Sequence, residues 1–84
     1  MIYSFEIVKK YIQPNIISEI ESDFEKYQNT ELSSLGIDSL SFFQVVLEIE
    51  EICNLKLDYI NLDIKQFSTL KKIDQFIEEY KHEL

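Results

Sequence analysis

LGIDSLSFFQVVLEIEEIC, residues 35–53, carries the strongest periodic signal in the chain. Within it Ser41, Gln44, Glu48 and Glu51 are spaced three, four and three residues apart and form one polar stripe of a helix. Leu40, Phe43, Val46, Ile49 and Cys53 lie toward the opposite side, and Phe42, Val45 and Ile52 widen that apolar face. Asp38 or Ser39 supplies the N-cap, and Asn54 is a natural stop. The pattern predicts a helix over 40–53 with Cys53 in the core rather than in redox chemistry.

Outward from this helix, the chain's single Gly and single Pro act as punctuation. Upstream, QNTELSSLGID (residues 28–38) reads as a loop. Ile2, Phe5, Val8 and Ile12 recur at helical spacing, with Ile7 and Tyr11 broadening the stripe. Pro14 lacks an amide donor and biases Gln13 away from helix, which ends this first helix near Ile12. Ile16, Ile20, Phe24 and Tyr27 keep the period, but Ser18, Ser22 and Asp23 weaken it to a helical turn or two. Downstream, residues 55–62 are apolar-rich but short, and LKLDYI (residues 55–60) is the one strand candidate, without a partner. Asp63 caps a brief helix through Phe67. Ser68 or Thr69 caps a last helix with Leu70, Ile73, Phe76, Ile77 and Tyr80 on its apolar face. The expectation is an all-α bundle of three main helices plus one short one. The phenylalanines recur at helical spacing and are assigned to the core, with Phe42 or Phe43 as a candidate lining for a groove.

The whole chain, residues 1–84, fits one domain of marginal size, and its start at Met1 suggests a free-standing polypeptide. Apolar residues make up 45%, which suits a folded globule. Sixteen acidic residues against eight lysines give a net charge of −8. Such a chain is ill-suited to a phosphate backbone or an anionic membrane surface, and a partner with a basic face is expected. Residues 31–64 hold seven acids and one Lys, so this segment carries most of the excess. One Cys forms no internal disulfide and, with one His, no zinc cluster. Neither a signal peptide nor a bilayer-length apolar run is evident, so a cytoplasmic monomer is expected.

Ser39 is the residue to weigh for chemistry. As a nucleophile it lacks help, because it needs a base, usually His, and the sole His lies in the tail at His82. There is no G-x-S-x-G elbow, EF-hand loop or Gly-rich phosphate loop. As a substrate it makes better sense. It follows Gly36 closely and stands at a helix N-terminus, where unpaired amides and the positive dipole end favour a phosphate group. Gly36 allows a tight approach to the helix start and Asp38 caps beside it. Taken alone, the same residues fit a plain N-cap.

LGIDSL, Leu35 to Leu40, resembles the attachment motif of acyl and peptidyl carrier proteins. The surroundings match: VKKYI about thirty residues earlier, an amphipathic helix after the Ser, and a last helix opened by FSTL. The resemblance covers residues 5–80. It implies that a phosphopantetheinyl transferase moves 4′-phosphopantetheine from coenzyme A onto Ser39, with Asp38, Gly36 and Leu40 shaping the attachment loop. The arm's thiol would hold acyl or aminoacyl groups as thioesters, loaded by an adenylating enzyme and passed to a downstream transferase or synthase. The helix after the Ser would be the recognition helix, with Ser41, Gln44, Leu47, Glu48, Glu50 and Glu51 as docking candidates. Fatty-acid-type carriers usually have acids where Ser41 and Gln44 stand. This departure favours specialised nonribosomal peptide, polyketide or D-alanyl transfer systems over housekeeping fatty-acid synthesis. An unmodified acidic helical adaptor and a Ser39 hydrolase are the readings from other classes.

Overall fold

The computed structural model describes residues 4–58 and 63–82, with side chains through Tyr80. It is all-α, and no strand occurs among the described residues. The α-helices are α1 (Ser4–Val8), α2 (Pro14–Ser22), α3 (Phe24–Tyr27), α4 (Ser39–Cys53) and α5 (Leu70–His82). Three 3-10 turns, Lys9–Tyr11, Leu32–Leu35 and Ile64–Phe67, complete the helical segments among the described residues.

The expected first helix is present as α1 extended by the 3-10 turn, and it ends at Tyr11, next to Ile12. Ile2 lies outside the described residues. Pro14 both stops that helix and starts the next. It stands at the first position of α2, where the missing amide costs nothing and φ is pre-set. α2 is longer than the turn or two that the serines suggested. Ser18 and Ser22 satisfy their hydroxyls on the helix's own carbonyls, of Pro14 at 3.2 Å and of Glu19 at 2.9 Å, rather than competing for its amides. Asp23 breaks the run, and its carboxylate accepts from the Lys26 amide to start α3. This helical stretch over 14–27 enlarges the expected count of three main helices plus one short one.

Residues 28–38 are more than a loop. Leu32, Leu35 and Ile37 are buried, so the segment runs through the core. It is strapped to the start of α5, with the Leu32 amide donating to the Ser68 carbonyl (2.9 Å) and the Lys71 amide to the Gln28 carbonyl (3.0 Å). An isolated bridge pairs Glu31 with Thr69. Asp63 caps the 3-10 turn Ile64–Phe67 through the Lys65 amide, and the Thr69 hydroxyl accepts from the Lys72 amide to cap α5. Leu55 to Asp58 form no strand, while the rest of the LKLDYI candidate lies outside the described residues.

α1, α4 and α5 pack on one another around Ile7, Val8, Val45, Val46, Ile49, Cys53, Ile73 and Ile77. Phe67 meets Phe76 edge-on at 4.8 Å between ring centroids. Ser4 is wholly buried at the head of α1, and its amide and hydroxyl each donate to a different oxygen of Asp74 on α5, both at 2.8 Å. No helix among the described residues is long and apolar enough to cross a membrane.

A candidate attachment site at the head of α4

The approach to α4 is fixed from both sides. The 3-10 turn anchors Leu32 and Leu35 in the core, and Gly36 then adopts φ 93°, a left-handed conformation that Gly takes without strain. The Ile37 amide returns to the Leu32 carbonyl (3.1 Å), and the Ile37 side chain is buried. The chain leaves this knot extended at Asp38, whose carboxylate accepts from the Ser41 amide at 2.8 Å. The N-cap is therefore Asp38, and Ser39 is the first residue of the helix. Hydrogen bonds from the Ser41 amide and hydroxyl hold the Asp38 carboxyl below its ordinary value. Ser41 is half-buried and bonded into the cap.

Ser39 is exposed, and its hydroxyl makes no hydrogen bond with the described residues. It opens onto a groove of about 530 Å³. Phe42, Phe43 and Val46 lie three, four and seven residues beyond Ser39, so they continue its side of the helix and line one wall. Leu32 and Ile37 line the groove from the approach loop, and Ile64 from the 3-10 turn before α5. Both phenylalanines expected as candidates line it. Ile64, 60% exposed, is a member that no periodicity identified, because it lies 25 residues away from Ser39 in a short segment.

The assignment of faces on α4 needs correction. Val45, Val46, Ile49 and Cys53 are buried and Phe42 packs against them, but Leu40 is 71% exposed, Phe43 50% and Leu47 48%. The helix has two apolar sides, one on the core and one toward solvent. Gln44 and Glu51 lie on the exposed side. Glu48 does not: it is half-buried, accepts from the Tyr11 hydroxyl at 2.7 Å, and pairs with the Lys10 ammonium. That hydrogen bond, aided by burial and the adjacent negative charge, raises the Tyr11 phenol above its ordinary value. Glu50 is half-buried and accepts from the Leu57 amide at 2.9 Å, holding the segment after α4 against the helix. Ser39, Asp38, Gly36 and Leu40 are therefore together at one end of α4, while the six docking candidates are divided between exposed and internally bonded groups.

Among the described residues no group of three potential ligands is placed to hold a metal ion. The backbone of α5 extends through His82, whose side chain lies outside the described residues. No family model matches the chain, and the searches of curated proteins and of solved structures likewise return no match.

Proposed function

We propose that the protein is a carrier bearing 4′-phosphopantetheine on Ser39. The observation that carries this reading is the exposed hydroxyl at the first position of α4, without a hydrogen bond to the described residues and held by Asp38 and Gly36 at the mouth of an apolar groove. In the transfer, the Ser39 oxygen attacks the β-phosphorus of coenzyme A and the pyrophosphate P–O bond breaks. The adenosine bisphosphate leaves, and the hydroxyl proton passes to a base on the transferase. The attached arm supplies a thiol that holds an acyl or aminoacyl group as a thioester.

The chain's own residues support that role in three ways. The loop, closed by its own hydrogen bonds, presents the hydroxyl without a competing partner among the described residues. The first amides of α4 and its positive dipole end lie beside the phosphodiester. The groove has the volume of a small-molecule site, roughly 300–1,000 Å³, with apolar walls against which the arm and its cargo fold back. A phosphopantetheinyl transferase, an adenylating loading enzyme and a downstream transferase or synthase are the partners, in the cytoplasm. Neutral Ser41 and Gln44 favour specialised nonribosomal peptide, polyketide or D-alanyl transfer over fatty-acid synthesis.

Intact-mass measurement after incubation with coenzyme A and a broad-specificity phosphopantetheinyl transferase tests the proposal. The wild type gains the mass of one phosphopantetheine and Ser39→Ala gains none. An unmodified wild type, or a modified Ser39→Ala, refutes the carrier function; in the first case an adaptor role replaces it.

A further inference from the structure

We infer that the cargo carried on Ser39 is an aminoacyl group with an apolar side chain. The side chain packs in the groove beside Ser39, and the Glu31 carboxylate pairs with the α-ammonium and repels acyl groups that bear a carboxylate. This assignment rests on the carrier reading of Ser39, which by itself admits acyl and aminoacyl cargo alike.

Three observations lead to it. First, the charge lining the groove is of one sign. Its walls are apolar, its polar lining is Glu31, Ser33, Asp38, Ser39 and Ser68, and no Lys among the described residues lines it. Second, these polar groups differ in availability. The Asp38 carboxylate is engaged by the Ser41 amide at 2.8 Å, and the Ser68 hydroxyl donates to the Lys65 carbonyl at 2.9 Å. Glu31 is exposed, and its carboxylate has no hydrogen bond or ion pair with the described residues. Third, the backbone holds Glu31 at the groove. Its carbonyl accepts from the Ser34 amide at 2.9 Å, and it bridges to Thr69 at the head of α5. The groove thus offers an apolar bed with one available carboxylate at its edge. Burial of apolar surface favours any hydrophobic acyl group there, so the choice among such groups falls to charge. An ammonium beside Glu31 gains an ion pair, and exposed pairs of this kind shift an equilibrium by about 1.5- to fivefold. A carboxylate in the same place meets a like charge with no Lys lining the groove to offset it. The arm tethers the cargo at an effective concentration near millimolar, so shifts of this size change the fraction of time the thioester spends in the groove.

The test loads the full-length protein with three thioesters that differ in one substituent: leucyl, with an α-ammonium; 4-methylpentanoyl, with hydrogen in its place; and isobutylmalonyl, with a carboxylate. Each is transferred from its coenzyme A derivative by the same broad-specificity transferase. The Ser39 oxygen takes the acylated arm at phosphorus, the adenosine bisphosphate leaves, and the hydroxyl proton passes to a base on the transferase. Thioester hydrolysis near neutral pH is then followed by intact mass and divided by the rate of the same coenzyme A thioester free in solution, which reads shielding by the groove. Wild type is compared with Glu31→Gln and with Ile64→Ala, whose side chain is 60% exposed on the groove, and circular dichroism verifies folding. In the wild type the leucyl thioester is expected to be shielded about 1.5- to fivefold more than the 4-methylpentanoyl one, the scale of one exposed ion pair, and isobutylmalonyl least of the three. Glu31→Gln is expected to remove the leucyl advantage and to leave 4-methylpentanoyl unchanged, which separates the ion pair from any general effect of the carboxylate on attacking hydroxide. Ile64→Ala is expected to lower the shielding of all three. Equal shielding of leucyl and 4-methylpentanoyl, a leucyl advantage that survives Glu31→Gln, or no shielding of any cargo overturns the inference while leaving Ser39 as the acceptor. Failure of the wild type to accept the arm from coenzyme A or from any of its derivatives overturns the carrier reading instead, and the cargo assignment with it.

Discussion

Replacing Asp74 is the most informative perturbation of the fold. Its carboxylate takes two hydrogen bonds from Ser4, one from the amide and one from the hydroxyl, both 2.8 Å, and Ser4 is wholly buried. The carboxylate thus caps α1 from the far end of the chain, across 70 residues of sequence, and lies at the positive end of that helix. Hydrogen bonds to a charged group contribute about 1.5–3 kcal/mol each, but Asp74 is half-buried and the two bonds share one acceptor group. Asp74→Ala is accordingly expected to cost about 2–4 kcal/mol, much of it from leaving the Ser4 amide and hydroxyl without partners. The whole domain holds roughly 4–13 kcal/mol at about 0.05–0.15 kcal/mol per residue. For a chain of this length each kcal/mol moves the midpoint by about 4–8 °C, so Tm falls by about 8–32 °C. Thermal and urea unfolding followed by far-ultraviolet circular dichroism reads the change. Ser4→Ala retains the amide bond and is expected to lose only about 1–2 kcal/mol. The double variant is then less destabilised than the sum of the two, because both remove the same hydroxyl bond. An Asp74→Ala protein within about 0.5 kcal/mol of wild type, the usual range of an inconsequential surface change, would refute the reasoning.

Three further outcomes are expected. Gly36 has φ 93° and no atom within 4 Å of where a Cβ would stand, so its substitution strains the backbone without a clash. Gly36→Ala should cost about 1–2 kcal/mol in urea unfolding and Gly36→Asn less, and a neutral Gly36→Ala would show that the loop relaxes freely. Tyr11→Phe should cost about 1 kcal/mol at neutral pH. The Tyr11 pKa is raised above 10.0 in the folded state, so its contribution is complete below that value and lost as pH rises through the folded pKa. A urea-midpoint titration from neutral to alkaline pH should therefore show a decline that Tyr11→Phe lacks; identical curves would remove the Glu48 bond as a stabilising contact. Asp38 runs the other way. Its folded pKa lies below 3.8, so the stability it contributes is present above the unfolded value and lost as pH falls through the folded one. Asp38→Asn retains a capping oxygen but should flatten that acid limb, and an unchanged acid transition would contradict the cap.

Much of the architecture was legible because its cues are local. Pro14 at the first position of α2, Asn54 in a left-handed conformation ending α4 and Thr69 capping α5 each act within a few residues. The head of α4 was legible for the same reason: Gly36, Asp38 and Ser39 form one short loop whose hydrogen bonds close on themselves. What periodicity misjudged was which apolar residues are inside. A helical repeat reports the angle between side chains, whereas burial depends on what stands opposite. α4 is apolar over more of its circumference than α1 and α5 cover, so Leu40 and Phe43 fell on the exposed side with Leu47. Contacts between distant segments carried no signal at all. Ser4 with Asp74, Tyr11 with Glu48, and Ile64 in the groove beside Ser39 all join residues whose separation conceals them.

The placement of charge shows what such distant contacts change. Residues 31–64 hold seven acids and one Lys, which by count describes a strongly negative face. In three dimensions six of the seven acids sort by what their carboxylates bond. Asp38 and Asp63 each cap a helical segment, Glu48 joins α4 to the first helical segment, and Glu50 retains the strand of chain leaving α4. Each of these carboxylates meets an amide, a phenol or an ammonium of its own chain, and Glu48 is also charge-paired, with Lys10. Glu31 and Glu51 are exposed without such bonds to the described residues, and they lie on separate elements. An acidic segment can therefore be a set of internal caps and braces, and the surface left beside Ser39 is defined by Leu40, Phe43, Leu47 and Ile64 more than by charge. Long-range attraction from the net charge of −8 still favours encounter with a basic protein.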